Sequence, residues 1–188
     1  NGNLETVTDP LGRTVTYAYD VADRRISETD AAHAATVTSY DAAGNVISVT
    51  DPLGHAKYYA YDSLSRLTSV TDDLGGVTVR QYDPAGNVTR LTDPAGNQTT
   101  YAYDVRNRVV LETDPLGQAR TYVYDPAGNL LAATDRNGRV RRFAYDAANR
   151  PIRESWLDGQ GQTVESIARE YDALGHVTQV SDSTATYA

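Results

Sequence analysis

Tyrosine and aspartate recur side by side eight times in this chain, as Tyr19-Asp20, Tyr40-Asp41, Tyr61-Asp62, Tyr82-Asp83, Tyr103-Asp104, Tyr124-Asp125, Tyr145-Asp146 and Tyr171-Asp172. Carboxylates and phenols are the groups from which general acid–base pairs, calcium sites and sugar platforms are built. A catalytic carboxylate pair is singular, whereas these recur in every unit, which favours a turn-capping role. Calcium needs several oxygen ligands from one loop, and each loop here supplies one carboxylate. The three histidines, His33, His55 and His176, flank turns and share no metal-ligand spacing. Cysteine is absent, which removes disulfides, thiolate metal sites and cysteine nucleophiles. No catalytic, cofactor or metal residue is assigned, and the chain is not read as an enzyme.

The spacing itself is the stronger signal. Six of the seven steps between Tyr-Asp pairs are 21 residues, and the last is 26. A fixed period of this size marks an array in which each unit buries apolar surface only against its neighbours. Residues 1–188 read as one such array, with an irregular, longer hairpin at about 150–171 around Asp158-Gly-Gln-Gly-Gln162. The opening at Gly2-Asn3 matches the middle of a unit, so the expectation is an excerpt from a longer array.

The formal net charge is -8, and sixteen of the nineteen aspartates fall on two repeat positions. One set follows tyrosine. The other is Asp9, Asp30, Asp51, Asp72, Asp93, Asp114, Asp135 and Asp182, each after Thr or Ser. The acidity is thus mostly turn chemistry, and it disfavours nucleic acid as a partner, because that needs clustered Lys and Arg. No apolar run reaches the roughly 20 residues of a membrane helix, so this segment is not expected to insert.

Asp-Pro-Leu-Gly at 9–12, 51–54 and 114–117, and Asp-Pro-Ala-Gly at 93–96, are turn sequences. Asp accepts backbone N–H groups, Pro fixes φ, and Gly supplies a left-handed residue, which predicts a type I turn closed by a glycine bulge. The tyrosine-linked aspartates begin a second turn of the same kind. Between turns lie six or seven residues rich in Val, Thr, Tyr and Ile, such as Arg13 to Tyr19, which are strand lengths and strand residues. Pro or Gly recurs too often for a stable helix. The fold class is therefore all-β, a repetitive antiparallel hairpin meander.

Alternation puts Val15, Tyr17 and Tyr19 on one face and Thr16 and Ala18 on the other. Successive Tyr-Asp tyrosines then lie about 10 Å apart, and the intervening strand must fill the gap. Its aliphatics, Val46 and Val49, Leu67 and Val70, Val88 and Leu91, Val177 and Val180, are spaced by three, which indicates a bulge or contact on both faces. About sixteen strands would span roughly 75 Å, and twist would curl such a sheet into a curved or spiralling wall.

A 42-residue rhythm overlies the 21-residue one. Arg24, Arg66, Arg108 and Arg150 close alternate turns, and Glu28, Glu112 and Glu154 follow three of them by four residues. If environment sets this alternation, Arg and Glu should meet across strands in one geometry. Trp156, the only tryptophan, sits in the irregular hairpin, where it serves local packing or contacts another part of the parent protein.

Tyr-Asp-x-x-Gly-Asn at Tyr82 to Asn87 and Tyr124 to Asn129, with Thr-Asp-Pro-x-Gly at Thr50 to Gly54 and Thr92 to Gly96, resembles the YD-repeat or RHS-repeat proteins over essentially the whole chain. That family includes bacterial RHS polymorphic toxins, Tc toxin shell subunits, wall-associated toxins and teneurins. The resemblance implies a hairpin strip wound into a hollow spiral shell enclosing a C-terminal toxin in an exported, secreted or cell-surface bacterial protein. The implied partners are the remaining repeats, the enclosed toxin domain and secretion-apparatus components. The family's self-cleaving Asp-Pro-x-Gly-Leu motif has no match, so autoproteolysis is not assigned. An adhesion or glycan-binding array, in which regularly placed Tyr and Asp contact sugars, is the alternative, and a scaffold without cargo a third reading.

Overall fold

The computed structural model describes residues 2–184. Its backbone falls into two compact units, one running to Asn97 and the other beginning at Gln98. Among the described residues every regular element is a strand.

The first unit holds β1 (Thr6–Thr8), β2 (Thr14–Tyr19), β3 (Arg25–Thr29), β4 (Ala35–Tyr40), β5 (Val46–Thr50), β6 (Ala56–Tyr61), β7 (Leu67–Thr71), β8 (Val77–Tyr82) and β9 (Val88–Thr92). The second holds β10 (Gln98–Tyr103), β11 (Val109–Thr113), β12 (Ala119–Tyr124), β13 (Leu130–Thr134), β14 (Val140–Tyr145), β15 (Pro151–Leu157), β16 (Thr163–Tyr171) and β17 (Val177–Thr184). Within each unit consecutive strands pair antiparallel, so the hairpin meander expected from the turn spacing is what forms. Short turns between short β-branched strands permit no other connection.

The puzzle of aliphatics spaced by three is resolved by a bulge. In the β4–β5 hairpin Ser39 pairs with Ser48 but Tyr40 pairs with Val46, which leaves Ile47 as the extra residue. One extra residue inverts the side-chain alternation, so Val46 and Val49 share the face of Tyr40 and Thr38. The same slip puts Leu67 opposite Tyr61 and Val88 opposite Tyr82. The aromatic face is therefore continuous, with Val15, Tyr17 and Tyr19 half-buried while Thr16 and Ala18 are exposed.

The last step of 26 has an equally local cause. Strand β15 runs seven residues and β16 nine, and a second bulge between Trp156 and Leu157 absorbs the odd residue. The turn of this hairpin is headed by Asp158, whose N–H donates to Gln162 O at 2.9 Å. Asp182, grouped above with the turn aspartates, instead lies inside β17 opposite Ile167.

Leu157 is the only buried hydrophobic side chain among the described residues. Half-buried side chains dominate because each unit is a single layer, and a single layer has no interior to fill. Cohesion has to come from cross-strand pairs and from the turns.

Candidate functional site

Sixteen turns connect the described strands, and they are built alike. In each, the N–H of the heading aspartate donates to the carbonyl four residues on, and its own carbonyl accepts from the N–H three residues on. The carboxylate finishes the turn: Asp20 Oδ1 accepts from Ala22 N and Arg24 N, and Oδ2 accepts from Arg24 Nε at 2.7 Å. The fifth residue varies without changing the geometry. Asn45 and Asn97 donate Nδ2 to Asp41 and Asp93, and the Nδ1 atoms of His55 and His176 lie 2.9 and 3.0 Å from Asp51 and Asp172. His55 and His176, read from the sequence as turn-flanking, are thus turn residues. His33 occupies the left-handed fourth position of its turn, at φ 64. No group of three His, Cys, Asp or Glu side chains is placed to hold a metal ion among the described residues.

These bonds set the electrostatics of the turns. The Arg24 side chain and then the Arg24 N–H hold the Asp20 carboxyl below the usual carboxylate range, and Asn97 does the same for Asp93. The hydrogen bond to Asp51 raises the pKa of His55. For the lowered carboxyls, stabilisation is complete above the ordinary value of 3.8 and is lost as pH falls through the folded values. For His55 it is present at low pH and is lost as pH rises through its raised folded value. Carboxylates outnumber the histidine, so the urea midpoint is expected to drop between pH 6 and pH 3. A midpoint unchanged at pH 3 would mean that the carboxylates are not holding the turns.

The arginines of the 42-residue rhythm do more than close their own turn. Arg24 lies over the ring of Tyr40 at 4.7 Å and donates NH1 to Asp41 O at 2.9 Å. Arg66 treats Tyr82 and Asp83 identically, Arg108 treats Tyr124 and Asp125 so, and Arg150 treats Tyr171 and Asp172 so. Each arginine therefore locks its hairpin to the next one. The tyrosine hydroxyls reach the other way: Tyr19 donates to Leu4 O, Tyr40 to Arg25 O, Tyr82 to Leu67 O, Tyr145 to Leu130 O and Tyr171 to Pro151 O.

The expected Arg–Glu geometry is not what these residues adopt. Glu28 pairs with Arg25 at 2.9 Å, Glu154 with Arg141 at 3.1 Å, and Glu112 with Arg136. The glutamates find different partners, while the arginines share one. The second half of the rhythm lies in the left-handed position. Units closed by Arg carry Asp23, Ser65, Asn107 or Asn149 there instead of Gly, all near φ 60. Their side chains receive the asparagine of the preceding unit: Asn3 donates to Asp23, Asn45 to Ser65 and Asn129 to Asn149. Alternate turns thus differ because one kind accepts from behind and reaches forward.

A pair of substitutions separates this role from backbone strain. His33, whose ring makes no hydrogen bond among the described residues, should gain about 0.5–1 kcal/mol on replacement by glycine. Asn149→Gly relieves the same strain but removes one of the two acceptors of Asn129 Nδ2, the other being Asp125, so thermal denaturation should show no net gain. Equal stabilisation of both variants would remove the asparagine relay from the account.

The structure places all eight Tyr-Asp aspartates at the heads of turns and brings each together with the fifth residue of its own turn. It leaves Trp156 half-buried on the aromatic face opposite Arg141. No helix among the described residues is long and apolar enough to cross a membrane.

The comparisons agree with this geometry. No curated protein matches the chain in sequence. Among solved structures it is similar to the crystal structure of TcdB2-TccC3-TEV, at 14% identity and a TM-score of 0.55, covering 97% of this chain and 12% of that one. It is also similar to a mutant of the Photorhabdus luminescens Tc holotoxin pore, at 14% identity and a TM-score of 0.51, covering 97% of this chain and 14% of that one. This chain therefore spans only a small part of the length of those proteins, and likeness at such identity carries the fold. The RHS Repeat pattern matches residues 1–35, 40–77, 82–119 and 124–163, which is most of the sequence. With turns, register and sequence pattern in agreement, this chain belongs to the RHS repeat family.

Proposed function

We propose that this chain is a structural stretch of a longer RHS array, one whose wall encloses a C-terminal toxin of an exported protein until delivery. The observation that carries the reading is where the polar groups go. The turn carboxylates are engaged by their own backbone, and the arginines are engaged by the next hairpin. Among the described residues these side chains serve cohesion, as a wall requires. Its partners in this reading are the remaining repeats, the enclosed domain and the export machinery that handles the whole.

The adhesion reading needs open tyrosine platforms for sugars. Tyr40, Tyr82, Tyr124 and Tyr171 each carry a guanidinium over the ring, which takes one stacking face away.

Limited proteolysis of the full-length protein tests the proposal. The segment following the repeats is expected to resist cleavage in the native protein and to be digested rapidly when expressed alone. Equal cleavage in both settings would refute enclosure and turn attention to glycan binding.

A further inference from the structure

One place in the second unit departs from the repeat in three ways at once. The position that carries Val49, Val70 or Leu91 in other hairpins, opposite Thr38, Tyr59 or Arg80, is Ala133 in β13, opposite Tyr122. The loss of bulk leaves a hollow over β12 to β15. Second, the long hairpin continues past the point where other hairpins turn, and so puts Trp156 directly across from Arg141. Third, the resulting cavity, about 500 Å³, has Ala133 in its lining together with Tyr122 and Trp156, and three guanidinium groups, Arg120, Arg139 and Arg141. That volume takes one or two large side chains.

The charge state of the lining sets what fits. Arg139 is paired with Asp135 at 2.7 Å and Arg141 with Glu154 at 3.1 Å. Among the described residues the one carboxylate within ion-pair reach of Arg120 is Glu112 at 3.8 Å, and Arg136 engages that carboxylate as well. A guanidinium at such a distance keeps donors to spare for a second carboxylate, which it can take bidentately. Tryptophan and arginine beside a small-residue hollow are the anchor types on which interfaces concentrate their binding energy. The space over Ala133 has room for an aromatic or large aliphatic side chain, with Arg120 in reach of a carboxylate beside it.

We propose that this cavity is a docking pocket for an acidic segment of the same protein outside the repeats, one presenting a carboxylate beside a large apolar side chain. The proposal rests on the enclosure reading for its choice of partner, since a wall that holds cargo needs a face that meets it. Of the three arginines in the lining, Arg139 and Arg141 already have carboxylate partners, so the attraction for an acidic ligand comes from Arg120.

The test places the photo-crosslinking residue p-benzoylphenylalanine at position 156 of the full-length protein, with position 123 as control, where Val123 is exposed. Irradiated protein is digested and the joined peptides are identified by mass spectrometry, while a parallel sample is assayed for protection of the segment after the repeats. The expected result is a crosslink from position 156 to an Asp- or Glu-containing peptide of that segment, absent from position 123. Arg120→Glu, and separately Ala133→Leu, should each reduce its yield about tenfold, the scale of losing one central anchor. Crosslinks confined to repeat peptides, with the segment still protected, would overturn the pocket and leave enclosure standing. A crosslink to the segment without protection would keep the pocket and overturn enclosure, and loss of both would overturn both. Yields unchanged in the two variants would show that the hollow and Arg120 are not what binds.

Discussion

Replacing Arg108 by alanine is expected to destabilise the second unit by about 2 kcal/mol, from roughly 1 kcal/mol of cation–π attraction and roughly 1 kcal/mol of charged hydrogen bonding. The guanidinium lies 4.4 Å from the Tyr124 ring centroid and donates to Asp125 O at 3.0 Å. These contacts join consecutive hairpins and come on top of the bond from Arg108 to Asp104 that closes its own turn. Lysine should recover less than half of the effect, because a point charge cannot stack on the ring while donating in a second direction. Arg139 supplies the contrast: its side chain is 74% exposed and closes only its own turn against Asp135, so Arg139→Ala should be close to neutral. Trp156 is the only tryptophan, so urea unfolding followed by its fluorescence reports on this unit without an added label. Equal midpoints for the Arg108 and Arg139 variants would show that the inter-hairpin lock contributes nothing.

Leu157→Ala should cost a further 2–3 kcal/mol on its own, the lower part of the range for a buried leucine, since a single layer can relax around the gap. Leu157 is 6% exposed, and it sits at the second bulge of the long hairpin, opposite Val140 on one side and Thr163 on the other. Its removal should also free Trp156, with a red shift of emission before global unfolding. Leu116, which is 83% exposed at a turn tip, should change stability by no more than about 0.5 kcal/mol when replaced by alanine. If the two leucine variants behave alike, the long hairpin is not a packing centre.

The turns were readable in advance because their chemistry is local. Asp accepts from backbone within four residues and the fourth residue must be left-handed, so Asp-Pro-Leu-Gly carries nearly all the information needed to place a hairpin. Gly161, three residues after Asp158, marks that aspartate as a turn head, but Asp30 heads a turn with His33 in the same position, so the lack of a glycine after Asp182 did not separate it from the turn aspartates. The bulge was detectable in the spacing of Val46 and Val49 but not separable there from contacts on both faces. What sequence did not disclose was the contact from Arg24 to Tyr40, sixteen residues away. The four-residue interval to Glu28 pointed to a cross-strand Arg–Glu contact, while the actual partner depends on register across two strands. The regular 42-residue return of arginine was its only trace. The hollow over Ala133 was hidden for a similar reason, since a missing side chain becomes a cavity only when its neighbours are known.

Once arginine, tyrosine and asparagine are seen as links between hairpins, the absence of a buried core stops being a difficulty. Each turn engages its own carboxylate, and each alternate turn engages the next. Stability then accumulates along the strip, as in other repeat architectures, and a wall can be extended without redesigning its interior.

Electron cryomicroscopy of the full-length protein tests that wall most directly. The account predicts that these hairpins form part of a continuous closed wall around density that the repeats do not supply, with the Arg108 and Tyr124 contact resolved between consecutive hairpins. An open array, with both sheet faces in solvent and nothing held against either, would contradict it.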